Sequence, residues 1–340
     1  MARAGGVRHG CRGQGSTSGG RCWLRGLARA VVVALVLVGT AACGSTSRTT
    51  TAFTPTAAGA GPKTAAPGAG KPPVTLGTKN FTEEFILGQL YAQALRAKGY
   101  SVTLKSNLGA SELMARKLAS SEIDGYPEYT GTILSVFAHD VRRPASAPDA
   151  YQLAANYERH HGAALLAMAP AADTDVVITN PTYAIDHHLS SLADLTKLGS
   201  SAVLAGPPEF RTRFNGLVGL GQVYGVRTIR FLPMKIGSQY QALADGRARL
   251  AVAFTTDGNL TQAGFTLLSD PKNIFGFQNV TFVVRRNVLA QEGPAFARTI
   301  DAVSARLSTE ALRLMNAAVA LDQQSPAAVA RQFLGANGLL

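Results

Sequence analysis

From Val74 onward the chain alternates between two hydrophobic patterns. Short apolar runs such as "PVTLGT", "SVTLKS", "EIDGY", "TDVVITN", "AVLAG", "TIRFLP", "ARLAVAFTT" and "TFVVRRNV" predict strands. Between them, apolar residues recur every three or four positions. "TEEFILGQLYAQALRAKG", "SELMARKLAS", a stretch near 148–160, "SSLADLTKL", "GLVGLGQVYG" and "SQYQALADG" therefore predict helices, and three more helical segments follow residue 293. Thr82 reads as the cap of the first helix and Gly99 as its stop. Strand–helix alternation predicts parallel sheets covered by helices, and two such runs predict two α/β lobes. Residues 74–178 and 256–340 are assigned to lobe 1 and 179–255 to lobe 2. The chain crosses out through "VVITN" and back through "AFTTDG", both apolar runs ending in polar turn residues.

One segment departs from either period. In "EIDGYPEYTGTIL", Pro127 argues against a central strand and Gly131 interrupts a helix start. Tyr126 and Tyr129 are thus expected near a turn at a strand end, where side chains meet ligands.

Charge changes the picture mainly by where it sits. The 340-residue chain has a net charge of +12, but nine of its basic residues and none of its acidic ones precede Val74, leaving 24 against 21 beyond it. No basic cluster interleaved with aromatics follows, which argues against nucleic-acid binding. The arginine-rich start and the apolar run "VVVALVLVG" predict an export signal over residues 1–43, too short to span a membrane. "TAACGS" resembles a lipoprotein cleavage site, so Cys43 is expected to carry a lipid and anchor the chain to the outer face of the cytoplasmic membrane; Thr40 departs from the usual aliphatic residue. No cysteine follows Cys43, which excludes a disulfide framework beyond it. Residues 44–73, rich in Thr, Ala, Gly and Pro, predict a disordered tether.

Catalytic signatures are missing. There is no Gly-x-Ser-x-Gly elbow and no His-Glu-x-x-His, and Tyr224 stands where a dinucleotide loop would need its third glycine. "PGAGKP" lacks the upstream glycine and the Ser/Thr of a phosphate loop. The pairs His160–His161 and His187–His188 are adjacent, so on a helix they point apart and read as solvated rather than as metal ligands. No cofactor, metal or catalytic residue is expected. What remains are aromatics and a few charges at strand-to-helix turns: "GTKNFTEEF", "YPEYTGT", "NPTYAI", "EFRTRFNG" and "AFTTDG". Open α/β sheets bind ligands at such places.

At these motifs the chain resembles the solute-binding subunits of osmoprotectant ABC importers, for glycine betaine, choline, carnitine and related quaternary amines. "LGTKNFTEEFILGQL", "NLGASELMARKLASSEIDGYPEYTGTIL", "YQALADGRARLAVAFTTDG" and "VVRRNVL" carry the resemblance, which runs from about Val74 to the C-terminus. It implies a two-lobed periplasmic-binding-protein-like (type II) fold with two crossing strands as hinge and ligand in the interlobe cleft. It also implies a membrane permease and an ATPase as partners.

A quaternary ammonium has no N–H to donate, so a protein holds it by dispersion and the negative faces of aromatic rings, while a betaine carboxylate needs Lys, Arg or a hydroxyl. By the resemblance, Tyr129, Tyr183 and Phe254 fall on ring positions of the cage. Gln278 replaces the fourth ring, with Phe277 as a neighbouring substitute. Lys79 and Arg213 fall on carboxylate-binding positions, with Thr132 adding a hydroxyl; Tyr126 and Tyr240 are lesser candidates. The resulting expectation is a non-catalytic receptor for a compatible solute, glycine betaine first. The alternatives are a binding protein for a bulkier aromatic or sugar-like molecule, kept open by the missing fourth ring, and an exported enzyme.

Overall fold

The computed structural model describes residues 65–140 and 144–340. The export signal, Cys43 and the first part of the tether lie outside the described residues. Among the described residues there are ten strands: β1 (Val74–Gly77), β2 (Val102–Lys105), β3 (Gly125–Tyr129), β4 (Ala163–Leu165), β5 (Asp175–Thr179), β6 (Val203–Gly206), β7 (Arg230–Pro233), β8 (Leu250–Phe254), β9 (Thr266–Leu268) and β10 (Val280–Arg285). They form two five-stranded sheets, ordered β2-β1-β3-β10-β4 and β7-β6-β8-β5-β9, one in each lobe.

Neither sheet is purely parallel, contrary to the expectation from strand–helix alternation. β10 runs antiparallel to β3 and β4, and β5 runs antiparallel to β8 and β9. The reason lies in the connections between lobes. The parallel strands β1, β3, β6 and β8 end at the cleft. A chain arriving from the other lobe must start its strand at the cleft and run outward, so β5 and β10 are reversed. The crossings also shift. "VVIT" is itself a strand of the second sheet, and the chain crosses before it, through residues 166–174. The second sheet therefore begins at Asp175 and takes in Thr266–Leu268, extending beyond the 179–255 span on both sides.

The return is also not a single passage. After β8 the chain turns at Thr255–Thr256, and a short helical turn, Gly258–Thr261, packs on the lobe 1 helix Thr309–Ala320. Gly258 permits this approach, because a Cβ there would lie 2.4 Å from the Ala317 nitrogen. The chain then returns to lobe 2 as β9 and crosses finally through residues 269–279. The crossings are tied together: Asp173 N donates to Gln278 O at 2.9 Å, and Thr174 and Thr255 exchange hydrogen bonds at 2.9 Å.

β3 is the third of five strands, so Pro127 does occupy a central strand after all. Thr130 N donates to Asn279 O, which turns the even-numbered residues of β3 toward β10 and Pro127 toward β1. The pairing with β1 is confined to Leu76 opposite Gly125. The missing N–H of Pro127 therefore falls where there is no ladder to break.

Helix α1 (Thr82–Ala97) lays Ile86, Leu87, Leu90, Tyr91, Ala94 and Leu95 against the first sheet. Its N-cap is Phe81 rather than Thr82, with no side-chain cap, and Gly99 ends it at φ +85°. The last part of the expected tether is docked rather than free: Gly68 N donates to Lys98 O at 2.9 Å, and Lys71 Nζ donates to Gln291 O at 2.8 Å. A Cβ at Gly68 would sit 2.3 Å from Tyr100 N, so only glycine allows this contact.

Phe282 on β10 anchors the larger core of lobe 1. It is fully buried, meets Tyr91 edge-on at 5.0 Å, and lies across Gly125, where a Cβ would come within 2.6 Å of its ring. Phe282→Ala is expected to lower unfolding free energy by ~3–5 kcal/mol in denaturant titration. A loss below ~1 kcal/mol would contradict this packing.

Candidate functional site

The strand ends of both lobes converge on one cleft. From lobe 1 come Lys79, Asn80 and Phe81 after β1, Ala110 and Ser111 at the start of helix α2 (Ser111–Ala119), Tyr129 at the end of β3, Thr132 after it, and Gln278 before β10. Lobe 2 supplies Asp175, Pro207, Glu209, Phe210, Arg213, Asn215, Ile236 and Phe254, with Asp173 on the crossing between them. The enclosed volume is about 60 Å³. Since one water needs roughly 10–15 Å³ of such space, the cleft suits a solute of several heavy atoms rather than a polymer.

Three rings line one wall. Phe81 stacks on Tyr129 with centroids 6.4 Å apart and planes 22° apart, and on Phe254 at 6.1 Å and 13°. Phe81 and Tyr129 belong to lobe 1 and Phe254 to lobe 2, so the wall spans the cleft. The Tyr129 hydroxyl donates to Glu83 Oε1 at 2.8 Å, and Asn316 Nδ2 donates to Glu83 Oε2 at 2.8 Å. That tether sets the plane of the Tyr129 ring.

Lys79 lines the cleft, but its charge is already met. Its Nζ lies 2.5 Å from Glu128 Oε1 and 3.3 Å from Glu84 Oε1, and 4.0 Å from the Tyr129 ring centroid. All three charged side chains are buried. Burial pushes the Glu84 carboxyl up to about 8 despite the lysine beside it. Removing one partner of such a pair costs ~3–5 kcal/mol, because the other charge is left buried and alone.

Arg213 reaches across the cleft to Glu112 on α2, with Nη2 at 3.1 Å and 3.0 Å from the two carboxylate oxygens. Asn215 Nδ2 donates to Asp175 Oδ2 at 2.9 Å, and the Ser135 hydroxyl lies 3.4 Å from Asn215 Oδ1. Both contacts with lobe 1 hold the lobes together. Gln278 is a cleft residue in its own right. Its Oε1 accepts from Thr132 N at 3.0 Å and lies 3.3 Å from the Thr132 hydroxyl, while its Nε2 donates to Phe275 O.

The expected site residues thus divide. Tyr129, Phe254, Lys79, Thr132, Arg213 and Gln278 meet in the cleft. Phe277 lines a different hollow, beside Leu134 and Phe214. Tyr183 lies at the opposite end of the second sheet, near His187 and Arg249. It follows the C-terminal end of β5, and because β5 is antiparallel, its start at Asp175 faces the cleft and its end faces away. Tyr240 packs edge-on against Phe265 and donates to Asp257 Oδ2 at 2.6 Å, outside the cleft. Tyr126, three positions from Tyr129 on an extended strand, points to the other face of the first sheet and is buried there.

Sequence reasoning missed Phe81, Phe210, Asp173 and Asp175. Phe81 was visible in "GTKNFTEEF" as an aromatic at a strand-to-helix turn. The two aspartates had no signal, because one lies on the crossing and the other at the start of a strand whose direction the pattern does not reveal. Asp173, 5 % exposed, accepts from the Thr256 hydroxyl at 2.5 Å; burial and then Glu83 hold its carboxyl well above the usual range. Asp175 sits opposite Phe254 in the β5–β8 register, and burial raises its carboxyl to about 7.

A carboxyl raised from 3.8 to about 7 keeps its proton longer in the folded chain than in the unfolded one. Its contribution to stability is intact below about pH 4 and is lost as pH rises through about 7. Asp175→Asn is therefore expected to raise the melting temperature at pH 8 and leave it unchanged or lower at pH 4. An equal effect at both values would contradict the burial of this charge.

The comparisons with known proteins agree with this architecture. Residues 72–336 match the family described as the substrate binding domain of ABC-type glycine betaine transport systems. A glycine-betaine-binding protein of Pseudomonas aeruginosa is 31% identical over 276 residues, covering 78% of this chain and 88% of that protein. The glycine betaine-binding protein YehZ of Escherichia coli is 30% identical over 287 residues, covering 78% and 91%. The solved structure of apo YehZ from Escherichia coli superposes with a TM-score of 0.59 at 28% identity, covering 79% of this chain and 99% of that one. With a family match over most of its length and two lobes closing on a cleft of strand ends, the chain belongs to the substrate-binding domains of ABC-type glycine betaine transport systems.

Proposed function

We propose that the cleft captures a small quaternary-ammonium solute, glycine betaine first, and hands it to a membrane permease driven by a separate ATPase. The observation that carries this reading is the wall of Phe81, Tyr129 and Phe254, contributed by both lobes. Ring centroids about 6 Å apart leave no room for a trimethylammonium group between them. The cation lies against their shared surface instead, facing Asp173 and Asp175. Its positive charge favours the ionised form of both aspartates, which burial otherwise disfavours.

The carboxylate of a betaine is assigned to the other side of the cleft, at Arg213, Thr132 and the N-terminus of α2. Lys79 takes a supporting role in this account. Its ammonium holds one face of Tyr129 while Glu128 and Glu84 hold the ammonium. Because ligand contacts both lobes, it binds the closed arrangement more tightly and shifts the population toward it. The chain works outside the cytoplasm on this reading, anchored through Cys43.

A second reading, a purely cationic solute such as choline, is favoured by one specific observation. Three carboxylates, Asp173, Asp175 and Glu209, line the cleft, while both basic residues there are paired with acids. Arg213→Gln separates the two readings. It is expected to weaken glycine betaine about tenfold more than choline, a difference of ~1.4 kcal/mol.

Calorimetric titration with glycine betaine, choline and carnitine tests the proposal. Phe81→Ala and Phe254→Ala are each expected to weaken binding by roughly 3- to 30-fold, as loss of one cation–π contact of ~0.5–2 kcal/mol implies. Tyr183→Ala should leave affinity unchanged. Absence of binding to all three solutes, or a Tyr183→Ala loss as large as that of Phe81→Ala, would overturn it.

A further inference from the structure

Lobe 1 contains a second cavity, of about 400 Å³, on the face of the first sheet opposite α1. It lies at the end of the sheet away from the cleft, where β3 starts at Gly125 and β10 ends at Arg285. Its size falls in the usual range of small-molecule sites, roughly 300–1,000 Å³. Tyr126, Phe137 and Tyr157 give it aromatic walls, with Glu158, His161 and Arg285 at its polar side.

The helix Ala147–His160 explains why this cavity is unusual. Its inward stripe reads Ala150, Ala154, Glu158, at steps of four residues. The third position of a core-facing stripe calls for an apolar side chain, yet a carboxylate stands there, 5 % exposed. Among the described residues no protein hydrogen bond engages the Glu158 carboxylate or the Tyr126 hydroxyl, and both open onto the cavity. Of the neighbouring polar groups, the Arg285 Nη atoms and the His161 Nδ1 are engaged, while Arg285 Nε has no partner. Arg285 is held by Asp124 and donates to the Ser121 hydroxyl at 2.7 Å, and His161 Nδ1 lies 2.8 Å from Tyr157 O with its ring stacked on Tyr157 at 4.0 Å. A carboxylate kept at an apolar position, and opening onto this cavity, is served there by water or by a ligand that donates to it. Burial and then Glu128 lift the Glu158 carboxyl to about 7, consistent with a group that gains from a nearby cation.

We propose that this cavity is a second ligand site, for a small primary ammonium attached to an apolar or aromatic body. The carboxylate and the hydroxyl want N–H donors, which a primary ammonium has and a quaternary one lacks. The rings take the body and the face of the charge. The site therefore selects a chemistry different from that of the cleft, and its occupancy is independent of the solute bound there.

The test is a titration of the isotope-labelled protein with benzylammonium chloride, followed by amide resonances. Shifts are expected at Glu158, His161 and Gly162. Glu158→Leu restores the apolar stripe, so it should fold at least as stably as the parent, yet weaken benzylammonium at least tenfold. Ala115→Trp, which fills the cavity from α2, should do the same, and both variants should keep the parent's affinity for glycine betaine. Shifts confined to Phe81 and Phe254 in the cleft, unaltered titration of Glu158→Leu, or no shift at millimolar benzylammonium would each overturn the proposal.

Discussion

One buried ammonium organises the cleft. Lys79 leaves the end of β1 and is met by Glu128 on the neighbouring strand β3 and by Glu84 in the first turn of α1. This cluster joins three elements at the point where they open onto the cleft. It also fixes both sides of Tyr129: the lysine lies over the ring, and Glu83, adjacent to Glu84 on α1, takes the hydroxyl. A charge removed from water at this depth is tolerable only with its counter-charge in place. The geometry of the aromatic wall therefore depends on an ion pair that need not touch the solute at all.

A second constraint is directional. A chain that passes between two lobes starts each new strand at the hinge, so β5 and β10 run against their neighbours. That reversal carries Asp173 and Asp175 to the cleft and Tyr183 away from it. It also brings Gln278, just before β10, beside Thr132, just after β3. Across the gap, Arg213 with Glu112 and Asn215 with Ser135 provide polar contacts between lobes that a bound solute would add to. Such contacts are partly exposed and individually weak, roughly 0–1 kcal/mol, so the solute can decide the balance.

Much of this was legible in the sequence. The periods gave two α/β lobes, most strands and helices, and three C-terminal helices, because amphipathic patterns report which face is buried. The pattern marked the turns "GTKNF", "EYTGT" and "AFTTDG" as strand ends at a cleft, and the family resemblance singled out Lys79, Tyr129, Thr132 and Phe254 within them. Three things were not legible. The resemblance put Tyr183 in the cage, but the direction of β5, which leaves no trace in its own composition, turns it away from the cleft. The tolerance of Pro127 in a central strand depends on where β1 stops. The engagement of Lys79 by two acids 5 and 49 residues away is a tertiary event that single-residue reasoning cannot see.

The central claim is that a quaternary ammonium binds against rings from both lobes and so holds them together. The most direct test is the interlobe distance. Nitroxide labels at the exposed positions Ser120 in lobe 1 and Gln241 in lobe 2 report it by pulsed electron resonance, in a chain whose other cysteines are replaced. The account predicts that glycine betaine narrows the distance distribution and shifts it to shorter values, and that Phe254→Ala largely abolishes the shift at the same concentration. A distribution unmoved by saturating solute, or a shift that survives Phe254→Ala intact, would contradict it.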